Sequence, residues 1–217
     1  ATHGYAGQWS AEPYITRLRN SIRKVSAELN IDSWRTEWCT ENYTESEIDS
    51  AINHTRRLAR DASYIGFNYI FEWSLYHWKD GIIYKNGSTL VKKKYYDVLK
   101  KLYSSVPPGY RVRPFVTEDI PDMNGNTATD VDMVAFQGAD SMVVLLTNPS
   151  TTAKDIKISG FTGTSLTTYQ TTSVESMANK GSKSITNGEC TISIPSKSIQ
   201  ILVTNGGTFM PATYEAE

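Results

Sequence analysis

An α/β fold followed by an all-β fold is what this chain of 217 residues predicts, on three observations. Up to about Tyr110, apolar stripes at three-to-four spacing alternate with short apolar runs of strand type. Beyond that point, β-branched runs are punctuated by turn signals and no helical stripe occurs. Pro107 and Pro108, which cannot continue a helix, stand at the change. With 39% hydrophobic and 21% charged residues, the chain has the composition of an ordinary globular protein able to bury a core or two.

In the first half, Pro13 stands where a helix can begin, and Ile15, Leu18, Ile22, Val25 and Leu29 repeat at helical spacing, predicting one buried face. A strand follows over Ser33 to Glu37. Thr44 and Glu47 then offer a capping box for a second helix, whose apolar face is Ile48, Ala51, Ile52, Thr55, Leu58, Ala59 and Ala62. "YIGFNYIFEW" reads as another strand with Ile65, Phe67, Tyr69, Phe71 and Trp73 on one face. A third helix, about Lys92 to Ser105, is stopped by the two prolines. Such alternation implies parallel strands joined by crossover helices, as in a doubly wound sheet or a (β/α) barrel. The strand ends carry polar and aromatic residues: "HGY" before the first helix, then Glu37 and Trp38, then Trp73 to Trp78. In barrel enzymes these ends hold the chemistry.

The second half contains "MVVLLTN", "DIKISGF", "LTTYQTTSV", "CTISI" and "SIQILVT", with alternation at Ile156/Ile158, Ile192/Ile194 and Ile199/Ile201/Val203. Turn signals at Gly138 to Asp140 and at Asn187-Gly188 separate these runs, which predicts an antiparallel sandwich.

Several functions are disfavoured. A net charge of −1 provides no basic field for nucleic acid, and no apolar run approaches the roughly 18 residues that span a bilayer. The first residues, "ATHGYAGQW", lack the layout of a signal peptide. Cys39 and Cys190 fall in different halves and are expected as two thiols. Asn42, Asn53 and Asn86 stand in N-x-S/T sequons, a short pattern that alone decides nothing. HExxH, GxSxG, Walker, GxGxxG and CxxC motifs are absent, so no cofactor is called for. His3, His54 and His77 are too few and too scattered for a metal cluster. "DMNGNTATD" places Asp122, Asn124, Asn126 and Asp130 at alternate positions, but its glycine is displaced and Met133 stands where a calcium loop closes on Glu, so no metal is expected.

Carboxylates among aromatics remain, the combination that glycoside chemistry uses: one carboxylate attacks, another protonates the leaving oxygen, and aromatic faces carry the sugar rings. "SWRTEWCTEN" sets Glu37 between Trp34 and Trp38, and a carboxylate desolvated by indole rings costs several kcal/mol unless it is paired or hydrogen-bonded. Glu37 is therefore either a catalytic group, or a structural one that pairs with a neighbour such as Arg35 or caps a loop. Glu41, Glu45 and Glu47 read as solvent or cap residues, Glu72 as partner of a buried cation, and Trp78 as core.

Taken together, these segments resemble the C-terminal portion of glycoside hydrolase family 30, which belongs to the retaining (β/α)8 glycosidases. "HGY" is similar to the end of the sixth barrel strand, "WRTEW" to the seventh strand with the nucleophile, and "YIFEW" to the eighth with a sugar-platform Trp. "KKYYDVLKKLYSSVPPGYRVRP" resembles the last barrel helix and its passage into the side domain, and "VDMVAFQGADSMVVLLTNPS" and "SLTTYQTTSVESM" resemble the side sandwich. The resemblance implies a C-terminal part of a TIM barrel over residues 1–110, a β-sandwich over 111–207, and a linker or start of a further module over 208–217. It makes Glu37 the nucleophile, Tyr5 its hydrogen-bond partner, His3 a substrate-side contact and Trp73 the floor under the cleaved sugar.

A Tyr hydroxyl donating to a carboxylate favours its charged form, and a Trp face stacks on a pyranose. The family's acid/base is a Glu ending the fourth strand, and a whole barrel takes about 250 residues. That residue has no counterpart here, so the resemblance implies an N-terminal barrel fragment or chain as partner and little turnover without it. An isolated half barrel is expected to expose two strand edges and the inner faces of its helices. The expected substrate is a β-linked polysaccharide of xylan, glucan or galactan type, neutral because no Arg follows Trp73 until Arg111, and the expected location is extracellular. The other reading of the same aromatics is a carbohydrate-binding or scaffold protein that holds glycan without cleaving it.

Overall fold

A computed structural model describes residues 2–3, 14–37, 46–65, 69–70, 81–113 and 131–206. In the first half lie β1 (Thr2–His3), α1 (Tyr14–Leu29), β2 (Trp34–Glu37), α2 (Glu47–Arg60), a π-helical turn (Asp61–Ile65) and β3 (Tyr69–Ile70). Then come β4 (Ile83–Asn86), β5 (Thr89–Lys92) and α3 (Lys94–Ser105). Among its described residues the second half has strands alone: β6 (Arg111–Arg113), β7 (Asp132–Gln137), β8 (Met142–Asn148), β9 (Lys154–Ser159), β10 (Ser165–Thr171), β11 (Ala178–Ser184), β12 (Glu189–Ile194) and β13 (Ser198–Thr204).

β1, β2 and β3 form a parallel sheet in that order, while β11-β10-β13-β8-β7-β6 form a six-stranded antiparallel sheet and β9 pairs with β12 as a ribbon. These are α/β and all-β regions arranged as in a partial TIM barrel joined to a β-sandwich.

The centre of the six-stranded sheet is covered on both faces. Val134, Val143, Leu145, Ile199 and Ile201 share one core with Ile48, Ala51, Ile52, Leu58 and Ala59 of α2 and Tyr95, Val98, Leu99 and Leu102 of α3. Ala135, Met142, Val144, Leu146 and Leu202 point the other way, into a core with Ile158, Cys190, Ile192 and Ile194 of the ribbon. Successive strand residues face opposite sides, so every residue of β8 is buried and "MVVLLTN" is a continuous apolar run instead of an alternating one.

The α2 stripe is buried as the spacing predicts, all seven positions lying at 7% exposure or less. Its cap differs from expectation. The Ser46 hydroxyl oxygen accepts the Asp49 backbone N–H at 3.3 Å and donates to the Asp49 carboxylate at 2.7 Å, so the box begins at Ser46, and Thr44 lies outside the described residues. Glu47 and Asp49 then sit in the first turn, where the helix dipole favours negative charge. α3 stops before Pro107, as expected, with the Val106 N–H on the Leu102 carbonyl at 2.9 Å. Asn187 and Gly188 both adopt positive φ, 53° and 74°, making the tight turn between Thr186 and Glu189.

Two further expectations are corrected, and one element is new. Val25 and Leu29 of α1 are 45% and 63% exposed, so the C-terminal part of the predicted stripe is not buried. Spacing determines which residues align on a helix, but burial requires a second layer against them; α1 packs on the π-helical turn, where Arg23 donates to the Ser63 carbonyl at 3.3 Å. Ile65 closes that turn instead of opening a strand, β3 is described over Tyr69 and Ile70, and the Phe67, Phe71 and Trp73 assignments lie outside the described residues. The hairpin of β4 and β5, turning at Gly87 with φ 61°, was not anticipated, although Asn86-Gly87 between apolar runs is its signal.

Charged groups clamp the helices to the sandwich. Arg56 of α2 pairs with Asp132 of β7, both largely buried, and Lys197 reaches Asp49 at 2.8 Å. Ser176 donates to Asp97 of α3 at 2.8 Å, and the Lys101 ammonium sits 3.4 Å from the centre of the Tyr169 ring. At the junction, Gly109 with φ 96° lets the chain turn so that the Tyr110 ring lies against Gly138 and its hydroxyl meets Ser141. A side chain at position 138 would collide with that ring.

Candidate active site

The sheet of β1, β2 and β3 positions the residues of interest. β1 runs parallel to β2 with Thr2 opposite Arg35 and His3 opposite Glu37, and β2 runs parallel to β3 with Trp34 opposite Tyr69 and Arg35 opposite Ile70. Parallel pairing brings the C-terminal ends of β1 and β2 to one rim, so His3 and Glu37, both final residues of their strands, are register neighbours. Sequence alone gave no register; it gave only that each residue stood near a strand end. At the opposite end of β2, Ser33 is buried and Trp34 is 42% exposed.

Of the four predicted site residues, the structure therefore places the backbones of His3 and Glu37 side by side. Tyr5 and Trp73 lie outside the described residues, as do Glu41, Glu45, Glu72, Trp78, Cys39 and the 122–130 loop. Among the described residues, no three His, Cys, Asp or Glu side chains gather as a metal site, and no helix is long and apolar enough to cross a membrane.

His54 is a core residue. Its ring lies 4.5 Å from that of Tyr95, joining α2 to α3, and burial, aided by the charges of Lys93 and Arg57, pulls its pKa down to about 3. Cys190 is a buried free thiol in the ribbon core. Glu47 is the exposed first residue of α2, as a cap residue should be.

A glutamate at the end of a parallel strand, beside a histidine at the end of the next, is an arrangement suited to acid–base or nucleophilic chemistry on a ligand held over the rim. In open parallel sheets and closed barrels alike, ligands bind at this end.

No family model and no curated protein matches the sequence. Solved structures do. A family 30 endoxylanase from Clostridium papyrosolvens C71 superposes with a TM-score of 0.68 at 22% identity, over 94% of this chain and 47% of that one. A conserved exported protein from Bacteroides fragilis gives 0.70 at 17% identity, over 94% and 45%. A family 44 xyloglucanase from Paenibacillus polymyxa gives 0.57 at 16% identity, over 88% and 35%. The chain thus has a glycoside-hydrolase-like fold shared among several families rather than one particular to family 30, and it spans less than half the length of these structures.

Proposed function

We propose that this chain is the C-terminal part of a retaining glycosidase acting on β-linked polysaccharide, with Glu37 as nucleophile. The observation that carries this reading is the position of Glu37 at the end of a parallel strand, in register with His3, within a fold shared with glycoside hydrolases. The Glu37 carboxylate attacks the anomeric carbon, a carboxylic acid protonates the leaving oxygen, and water, deprotonated by the same group, then releases the sugar. Retention requires the two carboxyl groups about 5 Å apart, so the acid belongs at a strand end that faces Glu37 across the closed ring. An N-terminal barrel fragment, in this or another polypeptide, supplies it. Tyr5 donates to the Glu37 carboxylate, His3 contacts the substrate, and Trp73 lies under the sugar that is cleaved.

Among the matched structures are an endoxylanase and a xyloglucanase, which supports a xylan or glucan backbone as substrate, and one matched protein is an exported one, which supports an extracellular location. The test is Glu37→Gln in the barrel completed by its acid-bearing part. Hydrolysis should fall by several orders of magnitude while glycan binding persists. Activity that survives the substitution refutes the assignment.

A further inference from the structure

The three sequons fare differently in the structure. Asn53 lies within α2 between the buried residues Ile52 and His54, is itself half-buried, and is already engaged by a neighbouring group. Asn42 lies outside the described residues. Asn86 is the last residue of β4, and Lys85, Asn86, Gly87, Ser88 and Thr89 are all exposed.

The local geometry goes beyond exposure. Asn86 and Thr89 form the closing pair of the β4/β5 hairpin, and Gly87 takes the positive φ of 61° that turns the chain, with no heavy atom within 4 Å of where its side chain would lie. Side chains two apart on a strand share a face, so Tyr84 stands beside Asn86. The half-buried Tyr84 ring has the Lys93 ammonium 5.9 Å from its centre. An aromatic ring two residues before the acceptor, on the same face, offers a surface on which the apolar side of the first sugar can stack.

We infer that Asn86 is an N-glycan acceptor, with Tyr84 as the platform for the first sugar. The amide nitrogen of Asn86 bonds to the anomeric carbon of a lipid diphosphate-linked oligosaccharide, and the anomeric C–O bond to phosphate breaks. The nitrogen gives up one proton, and the lipid diphosphate leaves with the electron pair. Ser88 supplies the hydroxyl that the N-x-S/T pattern requires. The inference rests on the extracellular route proposed above and is independent of the Glu37 chemistry.

To test it, the 217-residue chain is secreted from a glycosylating eukaryotic host behind a cleavable leader, and its peptides are mapped by mass before and after an amidase that releases N-glycans and leaves Asp. The host supplies the compartment, so the result reads the site whatever the native route. The expected result is a glycan on the Asn86 peptide in most molecules, an unmodified Asn53 peptide, loss of the Asn86 glycan in Asn86→Gln, and a severalfold lower occupancy at Asn86 in Tyr84→Ala. Circular dichroism of Asn86→Gln and Tyr84→Ala should match that of the parent, which shows that the changes do not arise from unfolding. An unmodified Asn86 in folded, secreted protein overturns the inference. Unchanged occupancy in Tyr84→Ala overturns the role given to the ring.

Discussion

Arg56 of α2 and Asp132 of β7 form an ion pair in the interior between the helical layer and the six-stranded sheet, their side chains only 17% and 8% exposed. The pair lies beside the core shared by α2, α3 and the sandwich, so charge and apolar packing tie the two halves of the chain at the same place.

Removing one partner of this pair takes from the other buried charge its contact across the two layers. Asp132→Ala should therefore cost about 3–5 kcal/mol, whereas Arg56→Met with Asp132→Leu should cost far less. Urea unfolding of the single and double variants measures both.

Leu145, 1% exposed at the centre of β8, packs toward α2 and α3. Leu145→Ala should cost about 2–5 kcal/mol by loss of transfer energy and the cavity left behind. Because one core spans both halves, helix and strand signals should be lost together in denaturant.

His54 makes stability depend on pH. Its folded pKa of about 3 lies below the ordinary value of 6.5, so the unfolded chain binds the extra proton first. The stabilisation is fully present above about pH 6.5 and is lost as pH falls toward 3, at up to about 1.4 kcal/mol per pH unit. Asp49 adds to the loss at the acid end, since the hydrogen bond from Lys197, and then that from Ser46, hold its carboxyl below the usual range. His54→Phe should flatten the stability profile between pH 6 and pH 4, read from urea midpoints across that range.

The exposed positions of α1 lead to the opposite expectation. Val25→Gln with Leu29→Gln should change stability by no more than about 0.5 kcal/mol, because those side chains are 45% and 63% exposed. The same pair should reduce self-association in sedimentation velocity if the stripe is what drives it.

How far the sequence could be read depended on whether a feature is local. The strands of the sandwich were legible because Ile156/Ile158 and Ile192/Ile194 alternate, and α2 because its seven apolar positions share one face. The burial of α1 was not, since its stripe marks a helix without saying what lies against it. Neither was the pairing of His3 with Glu37, because register between strands more than thirty positions apart depends on how the sheet is assembled. The clamps Arg56–Asp132 and Lys197–Asp49 join residues distant along the chain and leave no pattern in it. Glu37 stood out from its chemistry alone, an acid between two tryptophans at a strand end.

The most direct test of the account is covalent trapping. A 2-deoxy-2-fluoro β-glycoside with a dinitrophenyl leaving group needs no acid to depart, so this chain can be examined as it stands and again with the rest of the barrel. Xylobiosyl, cellobiosyl and galactobiosyl probes are compared. The account predicts one glycosyl adduct, on the peptide containing Glu37, absent in Glu37→Gln. An adduct on another residue, or hydrolysis of unfluorinated glycosides by the completed barrel with inversion of configuration, would contradict it.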